Sequence, residues 1–153
     1  MRSPLAAAAV AMCTLLVTGL PGAPAWGDGV HHSQHIALQP VGSAPLGSGF
    51  VENIHANGPT VYAMERYVLV GAAPGSYAVT LHLFADTSCT HVIGPFPSIT
   101  FATNAVGNGV GHLRLPPSAI PAGFHGLTIG IVWKLAGDTG ASYTTACSTV
   151  VLD

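Results

Sequence analysis

Two stretches of the chain alternate apolar and polar residues with a period of two. Over residues 76–86, Tyr77, Val79, Leu81, Leu83 and Ala85 alternate with Ser76, Ala78, Thr80, His82, Phe84 and Asp86. Over 127–135, Leu127, Ile129, Ile131, Trp133 and Leu135 alternate with Thr128, Gly130, Val132 and Lys134. Successive side chains of a strand point to opposite faces, so the odd positions of both stretches predict a core face. Thr60–Val70 is rich in β-branched and aromatic residues and predicts a third strand. Weaker strand signals lie at His35–Gln39, Phe50–Ala56, Ile99–Thr103 and 111–115, with a last strand at Tyr143–Leu152. Ala72-Ala73-Pro74-Gly75, Asn104 to Gly109, Pro116-Pro117 and Gly137 to Gly140 punctuate them as turns. No 3.6-residue period persists for three turns beyond the first segment. Seven or eight strands at short spacing predict an all-β fold, an antiparallel β-sandwich, with a small barrel as the alternative.

The first segment has a different pattern. Arg2 precedes an uncharged apolar run from Leu5 to Leu20, Pro21 and Gly22 break it, and Ala23-Pro24-Ala25 is a small-x-small cleavage pattern. This is the layout of a secretory signal peptide, and the run is short for a bilayer span. Three parts are therefore expected: a signal peptide at 1–25, a loosely ordered Gly-, Ser-, Pro- and His-rich leader at 26–48, and a β-sandwich domain at 49–153. Export to the medium or cell surface follows, with no membrane span once the signal is removed.

Composition narrows the function classes. Charged residues are 7% of the chain, against roughly 25% in an ordinary soluble domain. Four Lys plus Arg cannot build the basic footprint of a nucleic-acid binder. Coiled coils need Glu, Lys and Arg in quantity, and disordered chains are poor in apolar residues, whereas apolar residues make up 49% here. No P-loop or G-x-S-x-G elbow is present, and the sparse carboxylates give no recognisable catalytic pair. The expectation is a non-enzyme.

Of three cysteines, Cys13 falls in the signal segment, leaving Cys89 and Cys147. An even pair in an exported protein predicts a disulfide. The segment Asp138-Thr-Gly-Ala-Ser-Tyr143-Thr-Thr-Ala-Cys147 resembles an immunoglobulin-type sandwich, in which a Tyr precedes the second Cys by two residues; here Tyr143 precedes it by four. The segments His82-Leu-Phe-Ala-Asp86-Thr-Ser-Cys89, Thr103-Asn-Ala-Val-Gly107-Asn-Gly and Gly137 through Cys147 resemble the copper/zinc superoxide dismutase sandwich and the related chordin-type (CHRD) domains. That resemblance implies a β-sandwich with a loop Cys bonded to one in the last strand. It does not carry the metal chemistry, because Thr80 and Phe84 stand where the H-x-H copper pair would need a second His beside His82.

Histidine is the remaining chemistry. All eight His lie after residue 25. His31, His32 and His35 cluster, and neutral imidazoles bind copper or zinc. In an extended segment His31 and His35 point one way and His32 the other, so a shared ion requires a turn; the plain reading is a solvated His-rich tail. His82 and His112 alternate with apolar residues and should face outward. They are metal candidates only if the fold brings them to His55, His91 or His125, and are otherwise polar surface residues. Glu65 and Arg66 face opposite sides of one strand, so one of them can point inward, to pair with Asp86 or Arg114. The expected function is a secreted, non-catalytic protein with no cofactor and a binding or structural role at the cell surface or in the medium, its partner, a cell-surface component or a protein, left open. The alternative is an extracellular copper or zinc binder. A pocket holding two polar groups with shifted pKa would point instead to an enzyme.

Overall fold

The computed structural model describes residues 32–42, 47–55, 63–119, 121–124 and 126–152. The signal peptide expected at 1–25 lies outside them, as do His31, Tyr62 and His125. Nine strands are described: β1 (His32–Pro40), β2 (Ser48–His55), β3 (Ala63–Val70), β4 (Ser76–Phe84), β5 (Val92–Ala102), β6 (Gly109–Leu115), β7 (Leu127–Gly137), β8 (Ser142–Thr145) and β9 (Ser148–Leu152). Two short 3-10 turns, Pro117–Ala119 and Ala122–Phe124, join β6 to β7. Among the described residues no helix is long and apolar enough to cross a membrane.

The all-β, antiparallel expectation holds. The strands form one continuous sheet in the order β5-β4-β7-β8-β1-β2-β3-β6, with β9 also paired to β7. The sheet curls until its two ends, β5 and β6, meet. They pack without a ladder, and β6 is glycine at the points of contact. A Cβ on Gly109 would lie 2.6 Å from the Ala102 carbonyl oxygen, and one on Gly111 would lie 2.7 Å from Cδ1 of Phe101. The architecture is therefore barrel-like.

Three local differences from the sequence pattern have physical causes. The leader expected over 26–48 contains β1, which sits between β2 and β8 in the sheet. Its Ser, Gln and His residues give it a loop-like composition, yet Leu38 is 2% exposed in the core. β5 begins at Val92, seven residues before the expected Ile99, despite Pro95 and Pro97. Proline cannot donate to a ladder, and β5 is bonded on one side only, to β4. The single last strand expected at Tyr143–Leu152 is two, β8 and β9, broken at Ala146 and Cys147.

That break is where the expected disulfide attaches. Cys89, in the β4–β5 loop, is bonded to Cys147, with 5.9 Å between their Cα atoms. The loop lies against β7 at Gly130, where a Cβ would come 2.4 Å from the Asp86 carbonyl oxygen and 2.7 Å from the Cys89 sulfur. Asp86 organises it. Its carboxylate accepts from the Ser88 hydroxyl at 2.5 Å, from the backbone N–H of Ser88 at 2.9 Å and of Thr90 at 3.1 Å, and from His91 at backbone and ring.

Candidate functional site: an apolar cavity with one buried carboxyl

The interior of the barrel has two unlike halves. One is filled by aromatic rings. The Tyr77 ring lies 6.2 Å from Phe101 and 5.9 Å from Tyr143, and Tyr67 lies 6.3 Å from Phe101. Leu38, Val51, Leu69 and Leu135 close the space between them. The other half is hollow. Ala63 and Glu65 of β3, Leu81 and Leu83 of β4, Leu113 and Leu115 of β6, Ile129 and Ile131 of β7, and Leu152 of β9 surround a cavity of about 400 Å³. Phe96 and Pro97 of β5 and Ala119 and Pro121 beyond β6 also line it, and these four are exposed. The mouth therefore lies between β5 and the β6–β7 connection. Protein interiors are close-packed, so a void of this size is a departure from ordinary core construction and falls within the range of small-molecule sites.

Strand parity brings a carboxyl to this space. Ala63, Glu65, Tyr67 and Leu69 share the inward face of β3, and all are buried. Glu65 is 4% exposed. Arg66, the next residue, therefore faces outward, where its guanidinium lies 3.6 Å from the Glu52 carboxylate. The pairings expected of an inward Glu65 with Arg114, or of an inward Arg66 with Asp86, do not form: Arg114 is on the exposed face of β6 and Asp86 bonds within the β4–β5 loop. Instead the Tyr67 hydroxyl donates to Oε2 of Glu65.

A β-bulge adds a second polar group. Ala78 pairs with Thr100, but Thr80 pairs with Pro97, so Ser98 and Ile99 of β5 together oppose Val79 of β4. Ser98 lines the cavity, and its buried hydroxyl makes no hydrogen bond of good geometry but lies toward the Tyr67 hydroxyl. The Trp133 indole N–H, also buried, makes no hydrogen bond of good geometry, but it lies toward Glu65 and favours the ionised carboxyl. Glu65 and Ser98 are the polar side chains of a lining that is otherwise Ala, Leu, Ile, Phe and Pro.

Burial sets the protonation of the pair. It pushes the Glu65 carboxyl up from its ordinary value, and the donors Tyr67 and Trp133 offset this in part by favouring the carboxylate. Burial first, and then the Glu65 charge and hydrogen bond, push the Tyr67 hydroxyl far above its usual range.

The histidines occupy a different region. His35 is exposed on β1, its ring centroid 4.1 Å from that of Phe50. It stands opposite Glu52, Glu52 opposite Arg66, and Arg66 opposite His112, so one row crosses β1, β2, β3 and β6. His112 is exposed at the end of that row. His82 is half-buried on the outer face of β4, and burial, then the Lys134 charge, push its pKa down. His32 is opposite His55 in the β1–β2 register, and their side chains are outside the described set. His91 is 2.9 Å from Asp86. Among the described residues no three of His, Cys, Asp and Glu come together to hold a metal ion.

No protein-family description, curated protein or solved structure matches the chain.

Proposed function

We propose that this is a secreted, non-catalytic binding protein that holds a small, mainly apolar ligand inside its barrel. The cavity carries this reading: about 400 Å³ of unfilled interior, walled by aliphatic side chains and fitted with one buried carboxyl. Small-molecule sites combine largely hydrophobic walls with a few placed polar groups, and the mouths of β-barrels are a recurrent place for them. The Cys89–Cys147 disulfide and the apolar Leu5–Leu20 run support export.

Glu65 lines the cavity and Tyr67, bonded to it, does not, so the condition set above for an enzyme, two polar groups with shifted pKa at one pocket, is met only by the pair taken together. Their chemistry favours binding. Burial favours the protonated form of both, and each is engaged with the other. Ser98 has no basic side chain beside it among the described lining residues to activate it as a nucleophile. Titration with the uncharged fluorophore N-phenyl-1-naphthylamine tests the reading. Saturable enhancement with a stoichiometry of one per chain is expected; the absence of any saturable signal would remove the support for a ligand cavity.

A second reading, copper or zinc binding through the histidines, is favoured by one observation: β1–β2 register sets His32 opposite His55. Calorimetric titration with zinc at neutral pH separates it from the first, since it requires a one-to-one complex that His32→Ala weakens.

A further inference from the structure

We propose that the ligand is a lipophilic amine whose ammonium group pairs with the Glu65 carboxylate at the inner end of the cavity. The inference rests on the cavity reading above and adds the ligand's polar chemistry to it.

The surroundings of Glu65 are those of a hydrogen-bond acceptor. The Tyr67 hydroxyl donates to Oε2, and the Trp133 indole N–H, a group that can only donate, also favours the ionised carboxyl. A carboxylate accepts at both oxygens and donates nothing, so donors on this side suit the anion. Among the described residues, the anion has no cation beside it. Arg66, Arg114 and Lys134 are all exposed on outward faces of their strands. Among the described residues, the groups facing Glu65 are Tyr67 on its own strand, Asn53 opposite it on β2, Leu113 opposite it on β6 and Trp133 from β7, with the Ser98 hydroxyl of β5 beside Tyr67. Tyr67 is the titratable one among them, and none carries positive charge.

A buried carboxylate without a counter-charge is costly, so the empty protein takes up a proton instead. An ammonium at the same place removes the need for that proton. Binding then converts the Glu65 carboxylic acid and the free ammonium ion into an ion pair plus one proton released to solvent, and charge and atoms balance. The aliphatic walls accept the alkyl or aryl body. A neutral ligand would gain the walls but leave Glu65 protonated, with no proton released.

Isothermal titration of the full protein with octylamine and with 1-octanol distinguishes the cases. Between pH 5 and 8 the amine remains an ammonium ion, since an alkyl ammonium titrates near 10. Its affinity should rise with pH by up to tenfold per unit while Glu65 is protonated in the free protein. At pH 8 octylamine should bind at least thirtyfold more tightly than octanol, whose affinity should stay flat. Repeating the titration in buffers of different ionisation enthalpy should show proton release on amine binding alone. Glu65→Gln should abolish the amine preference, its pH dependence and the proton release, with circular dichroism and a cooperative melt showing that the variant is folded. Equal or tighter binding of octanol at every pH, or a flat pH profile for the amine, would overturn the amine assignment while leaving the cavity reading in place. Failure of both compounds to bind would overturn the cavity reading itself, and the assignment with it.

Discussion

The hydroxyl of Tyr67 donates to the Glu65 carboxyl two residues earlier on the same strand, at the boundary between the packed and hollow halves of the barrel. Both side chains point inward because they share the parity of Ala63 and Leu69. The bond supplies the carboxyl with a hydrogen-bond donor where its cavity side is apolar. Tyr67→Phe removes it and keeps the ring that packs near Phe101. The variant should lose about 1–3 kcal/mol, the cost of leaving a buried polar group unmade. Urea denaturation of the two proteins at one pH reads this directly; an unchanged midpoint would mean that the bond does not matter to folding.

Stability should depend on pH with opposite signs at two carboxyls. Burial raises Glu65 from its ordinary value of 4.5, so the folded protein holds that proton more tightly than the unfolded chain. Above pH 4.5 the unfolded chain has lost the proton and the folded one has not, and stability falls with rising pH until Glu65 ionises in the fold. Glu65→Gln should flatten that decline. Asp86 is held well below the usual carboxylate range, first by the Ser88 hydroxyl and then by the backbone N–H groups of Thr90 and His91. Its contribution is present above its ordinary value of 3.8 and is lost as pH falls below it. Asp86→Asn should flatten the acid limb and leave the neutral one alone. Thermal melts from pH 3 to 8 on the three proteins check both signs.

The Cys89–Cys147 bond links positions 58 residues apart. In the chain-entropy account, closing a loop of that size stabilises the fold by roughly 4 kcal/mol. The double variant Cys89→Ala, Cys147→Ala should lose an amount of that order in equilibrium denaturation. Reduction of the parent protein with dithiothreitol should give the same midpoint as the double variant.

Gly130 faces the β4–β5 loop at a distance that only glycine tolerates. Gly130→Ala should push the loop off β7 and destabilise the protein by about 1–3 kcal/mol, because the atoms in the way are the Asp86 carbonyl and the bonded Cys89 sulfur. Hydrogen exchange should show the loss confined first to residues 85–91. Gly140→Ala, at a turn glycine with open space around it, should leave that loop's exchange unchanged.

The alternation over 76–86 and 127–135 was enough to orient β4 and β7, and Trp133 is buried with Ile129, Ile131 and Leu135 as their shared parity requires. β5 was legible only from Ile99, because Pro95 and Pro97 argue against a strand unless its position at the end of the sheet is known. β1 was hidden by its composition. The inward Glu65 had a readable signal, since it repeats at two-residue spacing with Ala63, Tyr67 and Leu69. The cavity had none. A void is a mismatch between side chains that meet across the barrel, and it depends on sheet curvature and on which strands close it. Ser98 owes its place to a bulge that no local residue type announces. The row from His35 to His112 is likewise a product of register between β1, β2, β3 and β6.

The most direct test of a ligand cavity is to fill it. Ala63 is a small buried residue in the cavity wall, and Ala63→Phe would place a ring in the hollow half. Val70, on the same strand but exposed, serves as the control through Val70→Phe. Titration of the three proteins with N-phenyl-1-naphthylamine should give one saturable site in the parent and in Val70→Phe and none in Ala63→Phe, which should be folded and at least as stable as the parent, since cavity filling commonly stabilises by about 0.5–2 kcal/mol. Undiminished binding in a folded Ala63→Phe would contradict the placement of the ligand inside the barrel.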